Sequence, residues 1–530
     1  MMIMRVGDRT IETNKRNERK TEQHLPIVLA CTHNTDILHS RKHMPPSPSI
    51  YSVGNFHRSH MASYMNDLFN KSFSANQSWG IVGAGVMSFD DDKRKQLKPQ
   101  DWLQTLVELD GAAGTKKASV LAPMMDFLEV DSNNEHHHQP FYDKLMSSDI
   151  KIVSITVTEG GYFLNNQNKL DVDNANIQHD IQNPQEPKTV FGLIVKALYE
   201  RKQQGRMPFT IMSCDNIPHN GSVTKHVVVD LAKHMYGDDL ADWILENGAF
   251  PNSMVDRITP GATQEITDMI QDTWGYRDES PILCEPFRQW VLEDKFVGGE
   301  RPPWETLDSV SVVDDVAPYE NMKIRILNGG HASLCYPAAL LGLKYVHEAI
   351  EHPTIGPFMD ILERKEIIPT LPPVPDTDLE EYWSIINSRF ANPTLQDTIV
   401  RICYDGTNRQ PKFIVPTASD GVKKGESVDG LALVSAMWAR YCQGTTATGE
   451  TIAPNDGDWE QLHAAAMDAK KEPLIWLDSL PHVYGELGTN PVFRQAFSDA
   501  LKSIEEKGVE GAMQQYIDAN SEDGPAVATV

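Results

Sequence analysis

IYSVGNFHRSHMASYMNDLF, residues 50–69, decides how this chain is read. Ile50 to Val53 forms a short apolar strand, Gly54 interrupts it, and a helix-patterned stretch follows. A dinucleotide-binding fold keeps its phosphate loop at such a strand-turn-helix. Glycine lets the backbone approach the pyrophosphate, and the helix start offers unpaired N–H groups and a positive dipole end. The full GxGxxG is absent, because Ser52 stands where a first glycine would be and Asn55 follows Gly54. An ordinary tight turn is the competing reading.

WGIVGAGVM, from Trp79, is a second buried strand and runs into SFDDDKRK. In dinucleotide folds an acid just past the second strand accepts hydrogen bonds from the adenosine ribose. It also disfavours a 2′-phosphate, so it selects NAD over NADP. Asp90 is the best-placed acid, although Asp90 to Asp92 also reads as a solvated charge cluster. GAG could itself be the phosphate loop, but no clear downstream acid follows it.

Further along, VELDGAAGTKKASVLA reads as a hairpin and IKIVSITVTEGGYF as a strand ending in a glycine turn. TVFGLIVKALYERKQQG is an amphipathic helix closing on Gly205. MPFTIMSCDNIPHNG is a strand then a loop, and VTKHVVVDLAKHMYG is a helix. Strands alternating with helices predict a mostly parallel α/β sheet. TEGGY and SCDN then lie at the C-terminal ends of strands, where open sheets bind ligands. Plain turn chemistry also uses Asp, Asn and Gly. Beyond about residue 310, LALVSAMWARYCQG and NPVFRQAFSDALKSIEEKG typify a run of helices. The expected fold class is α/β. It has an irregular extension over 1–48, a Rossmann-type NAD-binding domain over 49–305 and a mostly α-helical domain over 306–530.

A chain of 530 residues suits two domains. Its net charge of −26 argues against nucleic-acid or anionic-membrane partners. No apolar run reaches the roughly 20 residues of a membrane span, and residues 1–24 mix both charges, unlike a targeting peptide. Six cysteines form no CxxC pair, which fits a reduced, cytoplasmic protein. HHH at 136–138 reads as a solvated loop, because metal ligands need fixed spacing on an ordered frame.

KIRILNGGH, Lys323 to His331, places three polar groups among apolar ones. On a helix at about 100° per residue, Lys323, His331 and Asn328 fall near 0°, ~80° and ~140°, on one side. Two glycines inside a helix cost ~1 kcal/mol each relative to alanine, and make sense where a ligand or another backbone comes close. A wet helix face is the bland reading. Ile324, Ile326 and Leu327 favour a lined pocket. Such a pocket fits oxidation of a secondary alcohol. A desolvated lysine takes the hydroxyl proton, amide donors hold the alkoxide, and no metal is needed.

These residues bring a family resemblance with them. NFHRSH, QDWLQTL, ITVTEGGYF, FTIMSCDNIPHNG, FPNSMVDRITP, CEPFRQWVLEDKF and PYENMKIRILNGGH resemble the polyol-specific long-chain dehydrogenases, over about residues 50–515. The spacing K-x4-N-x2-H is the signature, here Lys323, Asn328 and His331. The resemblance implies Lys323 as general acid/base, Asn216 and Asn328 as the alkoxide-stabilising pair, and His331 as the residue orienting the polyol. It implies substrate contacts for Asp256 and Arg401, and for Arg409, which stands where a lysine is often found. It places Gly54 and Phe56 in the cofactor loop, Asp90 at the NAD-selecting position and Glu159 near the nicotinamide. The implied reaction interconverts D-mannitol and D-fructose with NAD and no metal. An arabinitol 4-dehydrogenase or a fructuronate reductase would use the same scaffold, and a catalytically silent NAD-binding protein is a third possibility. The expected assembly is a monomer. The family loop is GxGxF, and this chain has SVGNF.

Overall fold

The computed structural model describes residues 27–29, 47–51, 53–85, 90–111, 114–129, 135–157, 159–165 and 167–521. Its central sheet has five strands: β2 (Ser47–Tyr51), β3 (Trp79–Gly85), β6 (Met124–Glu129), β7 (Ile152–Ile155) and β8 (Thr210–Ser213). Their order is β6-β3-β2-β7-β8, and every neighbouring pair is parallel. The chain therefore runs outward from β2 to one side and returns to the other. The crevice beyond the carboxyl ends of β2 and β7 is the switch point where such sheets hold ligands.

The expected parallel sheet is present, and the reason lies in its side chains. Ile81, Ile152 and Met212 face one apolar cluster, while their neighbours Val82, Val153 and Ile211 face another. A strand buried on both faces needs helices on both sides. Met61–Lys71 supplies one layer, and Val190–Gln203 with Asn220–Tyr236 supplies the other. The expected hairpin is the antiparallel pair β4 (Gln104–Asp110) and β5 (Thr115–Leu121), with Asp110 opposite Thr115. β4 also pairs with β10 (Ile282–Cys284). A third sheet has the order β12 (Val310–Val313), β11 (Gln289–Glu293), β9 (Ser253–Asp256).

The helical second half packs around one large core that includes Trp383, Trp438 and Trp476. Helices Asp429–Tyr441 and Pro491–Asn520 cross it, the latter kinked at Gly508 with φ +76°. Met254 of β9 and Val291 of β11 join the same core, which fastens the third sheet to the helices.

Two expectations are corrected and one alternative is set aside. The stretch 1–48 is not wholly irregular: β1 (Ile27–Leu29) pairs parallel with β5, and β2 begins at Ser47. Ser52 lies outside the described residues. GAG is the end of β3 rather than a phosphate loop. The histidines at 136–138 open helix Glu135–Met146 instead of a loop. Buried Phe141, Tyr142 and Leu145 anchor its last turns to the core, and the polar run is wound in ahead of them.

Candidate active site

The candidate site gathers at the ends of β7, β8 and β9. Ser213 closes β8, and Asp215 then ties the neighbouring turns together. Its Oδ2 accepts hydrogen bonds from the Val157 N–H at 3.0 Å and the Tyr162 hydroxyl at 2.8 Å. Asn220 continues the tie. It donates to the carbonyls of Asp215 at 3.0 Å and Ser253 at 2.7 Å, and accepts from the Ser253 N–H at 2.9 Å. Asn216 is held exposed at the crevice between these fixed points. Packing enforces the spacing too. A Cβ at Gly221 would come within 2.6 Å of the Phe250–Pro251 backbone that leads to β9.

Lys323 arrives from the helical half. Helix Ala317–Met322 passes into a π-helical stretch, Lys323–Asn328, and then into helix Gly329–Leu340. The α-helix expected from the sequence is corrected here. An i→i+5 turn stacks residues five apart, so Lys323 and Asn328 share a face more closely than α geometry allows. π turns recur at functional sites for this reason. The lysine is 6 % exposed. Its Nζ donates to Asn216 Oδ1 and to the Val255 carbonyl, each at 2.5 Å. Burial pulls its ammonium below the ordinary range; Asp256 opposes this, Arg389 adds to it, and Glu320 opposes it.

Asp256, the last residue of β9, is buried and gripped by Arg389 through two bonds of 2.8 and 2.9 Å. The same guanidinium holds Glu285 through bonds of 2.9 and 2.7 Å and lies 4.1 Å from the Phe287 ring centre. Burial alone would push the Asp256 carboxyl up, but Arg389 and Lys323 outweigh it and leave it below its usual range. For Glu285 burial wins, and its carboxyl stays raised despite Arg389. Asp256 thus reaches Lys323 as a charge, with both oxygens committed to Arg389.

His331 packs its ring on Phe390, with centroids 4.3 Å apart. Its Nε2 is buried with no hydrogen-bond partner. Burial pulls it down to about 3, with Asp397 opposing and Arg401, Arg409 and Arg389 adding to the shift, so the ring is neutral. A small cavity beside it is lined by His331, Ile258, Arg389, Phe390, Asn392 and Asp397, among others. The Gly329–Gly330 pair has the close neighbours its sequence suggested. A Cβ at Gly330 would lie 2.9 Å from Glu363 Oε1, and one at Gly329 would lie 3.3 Å from the Phe413 carbonyl.

Arg401 and Arg409 are within electrostatic reach of His331, but neither is seated in the pocket. Arg401 has an exposed side chain paired with Asp397 at 2.6 Å. Arg409 lies over the Phe413 ring at 5.5 Å, and its Nε is buried without a partner.

On the cofactor side, Gly54 ends the β2 turn and helix Asn55–Ser59 follows. Phe56 stacks on His60 at 4.9 Å. Asp90 opens helix Asp90–Leu97 against the end of β3, where a Cβ at Gly85 would lie 2.3 Å from its Cβ. Asp91 and Asp92 behave as the solvated cluster, with Asp91 paired to Arg94 and Lys95. An acid at the second strand end, a glycine at the first, and a parallel sheet with its switch point between β2 and β7 fit a dinucleotide. Glu159 begins the short 3-10 turn Glu159–Tyr162 after β7, and its side chain lies outside the described residues.

Arg389 and Glu285 escaped the sequence reading, as did Glu320. Glu320 is buried one turn before Lys323 and accepts the His219 N–H at 3.1 Å. Burial pushes its carboxyl up, and the His219 N–H pulls it back. Among the described residues no group of three or more His, Cys, Asp or Glu is placed to hold a metal. Nor is any helix among them long and apolar enough to cross a membrane.

The chain matches two family models: the mannitol dehydrogenase Rossmann domain over residues 51–306 and the mannitol dehydrogenase C-terminal domain over 315–505. It is 43 % identical over 481 residues to a mannitol 2-dehydrogenase of Cereibacter sphaeroides, covering 91 % of this chain and 98 % of that protein. It is 38 % identical to a mannitol dehydrogenase of Saccharomyces cerevisiae, covering 88 % and 91 %. The fold superimposes on Pseudomonas fluorescens mannitol 2-dehydrogenase, solved as a ternary complex with NAD and D-mannitol. The TM-score there is 0.81 at 36 % identity, with 92 % and 96 % of the chains covered. A D-sorbitol dehydrogenase in substrate-free form gives a TM-score of 0.80 at 32 % identity, over 92 % and 98 %. With both halves of the chain accounted for, this protein belongs to the mannitol dehydrogenase family, NAD-dependent polyol dehydrogenases with a Rossmann-type domain followed by a helical one.

Proposed function

We propose that this chain oxidises D-mannitol to D-fructose with NAD⁺ and runs the reverse reduction with NADH, using a lysine and no metal. The buried Lys323 Nζ bonded to Asn216 carries the reading. NAD supplies the hydride acceptor when bound. The protein handles the proton: Lys323, as a neutral amine, takes it from the C2 hydroxyl and returns it in reduction. Because Asn216 Oδ1 accepts from Lys323, the amide N–H groups of Asn216 are free to donate to the developing alkoxide. Asn328, five residues along the π turn from Lys323, supplies the second donor. Neutral His331 offers Nε2 to a polyol hydroxyl. Asp256 keeps a negative charge beside Lys323, and Arg401 and Arg409 lie toward the far end of the substrate. Gly54 and Phe56 form the cofactor turn, Asp90 receives the ribose hydroxyls and Glu159 lies near the nicotinamide. The dinucleotide domain spans 49–305 and the substrate domain 306–530. The protein works as a cytoplasmic monomer.

One experiment tests substrate and mechanism together. NADH oxidation is followed with D-fructose near neutral pH, beside NADPH, beside fructuronate, and with chelator present. Fast, chelator-insensitive turnover with NADH and fructose is expected. Turnover confined to fructuronate would move the substrate and assign Arg401 and Arg409 to a carboxylate. Binding of NADH with no turnover of either ketose would replace the enzyme by a silent NAD-binding protein. Asn216→Ala is expected to lower kcat by about 10²–10³-fold, the usual effect of losing one oxyanion donor. A variant with wild-type kcat would remove Asn216 from the site.

A further inference from the structure

In the turn after β2, Asn55 follows Gly54 directly, and that side chain has two cations on it. Asn55 Oδ1 accepts hydrogen bonds from Arg58 Nη2 at 2.7 Å and from Lys93 Nζ at 3.4 Å. Arg58 is 1 % exposed, and its other terminal nitrogen donates to the Ser280 carbonyl at 2.7 Å, so it is a fixed strut. Lys93 is different. It stands one turn past Asp90 on helix Asp90–Leu97 and is only half-buried. Its side chain reaches from the β3 side across to the β2 turn. Burial and the Arg58 charge pull its ammonium down to about 8, and Asp90 opposes them. A lysine held beside a guanidinium in this way has a strong preference for an anion.

Asn55 points the same way chemically. An amide whose oxygen is occupied by two cations has its two N–H donors left for another partner. An amide N–H beside a lysine offers a phosphate a charge-assisted pair.

We propose that Lys93 and Asn55 together contact the pyrophosphate of the bound dinucleotide, adding a cation and an amide donor to the turn at Gly54. This rests on the assignment of NAD to the crevice. Arg58 positions Asn55 and does not itself touch the cofactor.

The test measures binding of NADH and of ADP-ribose, which has the pyrophosphate and lacks nicotinamide, to wild type, Lys93→Met and Lys93→Arg. Losing a hydrogen bond to a charged group is expected to raise both dissociation constants about 10- to 100-fold in Lys93→Met. In steady-state kinetics the loss falls on KM for NADH rather than on kcat. Lys93→Arg keeps the charge and stays within about threefold of wild type. Asn55→Asp, which sets a carboxylate against the phosphate, also weakens both ligands. Dissociation constants within about twofold of wild type in Lys93→Met would overturn the proposal. Wild-type protein that binds neither ligand would remove the cofactor assignment, and the proposal with it.

Discussion

Lys323→Met is expected to lower kcat for mannitol oxidation and fructose reduction about 10²–10⁴-fold, the span that positioned acid–base groups supply, while NADH still binds. Methionine keeps the length and apolar stem of lysine and removes the proton carrier. Asn216 Oδ1 and the Val255 carbonyl lose their donor, a local cost of ~1–3 kcal/mol that falls on the buried Val255 carbonyl, since water can reach Asn216. Relief of a buried ammonium offsets part of this, so the variant folds. The pH profile separates a proton carrier from a mere strut. Oxidation needs the neutral amine, so its rate climbs with pH and levels above the lowered Lys323 value. Reduction needs the ammonium, so its rate falls through the same region. Both limbs should vanish in the variant. Turnover within tenfold of wild type, with the limbs intact, would take the base role from Lys323.

The parts of this site that were legible in sequence are those set by local chain. Gly54, Asp90 and the SCDN turn each sit at a strand end, and strand ends follow from apolar runs that stop at turn residues. The lysine, asparagine and histidine of 323–331 were legible as one polar face. Their exact relation was not, because a π turn differs from an α turn by one residue per hydrogen bond and leaves no periodic trace over six residues. Arg389 was invisible for another reason. It is the next-to-last residue of LEEYWSIINSRF, an ordinary amphipathic helix in which an arginine near the C-terminus suits the helix dipole. Only tertiary packing turns it inward, to Asp256, 133 residues before it, and Glu285, 104 before it. Arg401 shows the converse, a local pairing that sequence spacing allows. Its neighbour four residues earlier, Asp397, captures it at the surface.

The Arg389 cluster yields the largest expected loss of stability. Arg389→Met leaves Asp256 and Glu285 buried without the guanidinium that pairs both, and breaking a buried pair from one side costs about 3–5 kcal/mol. The stabilisation gained on lowering the pH should then grow. In wild type the Asp256 carboxyl lies below its unfolded value, so its stabilisation is complete above the unfolded pKa and is lost as pH falls through the depressed one. Glu285, held above its ordinary value by burial, works against this at neutral pH. Without Arg389, burial raises both carboxyls. The folded state then binds more protons than the unfolded chain, so stability rises as pH is lowered from 7 toward 5. Urea unfolding at the two pH values measures this directly. Adding Asp256→Asn and Glu285→Gln to Arg389→Met should recover much of the loss, since an uncharged cluster owes no charge desolvation. It should not restore activity, because Lys323 would then lack the negative neighbour that opposes its burial. A single Arg389→Met variant as stable as wild type at pH 7 would show that the two carboxylates find protons or water without the guanidinium. The cluster would then lose its role as the clamp joining β9, the 285 turn and the 379–390 helix.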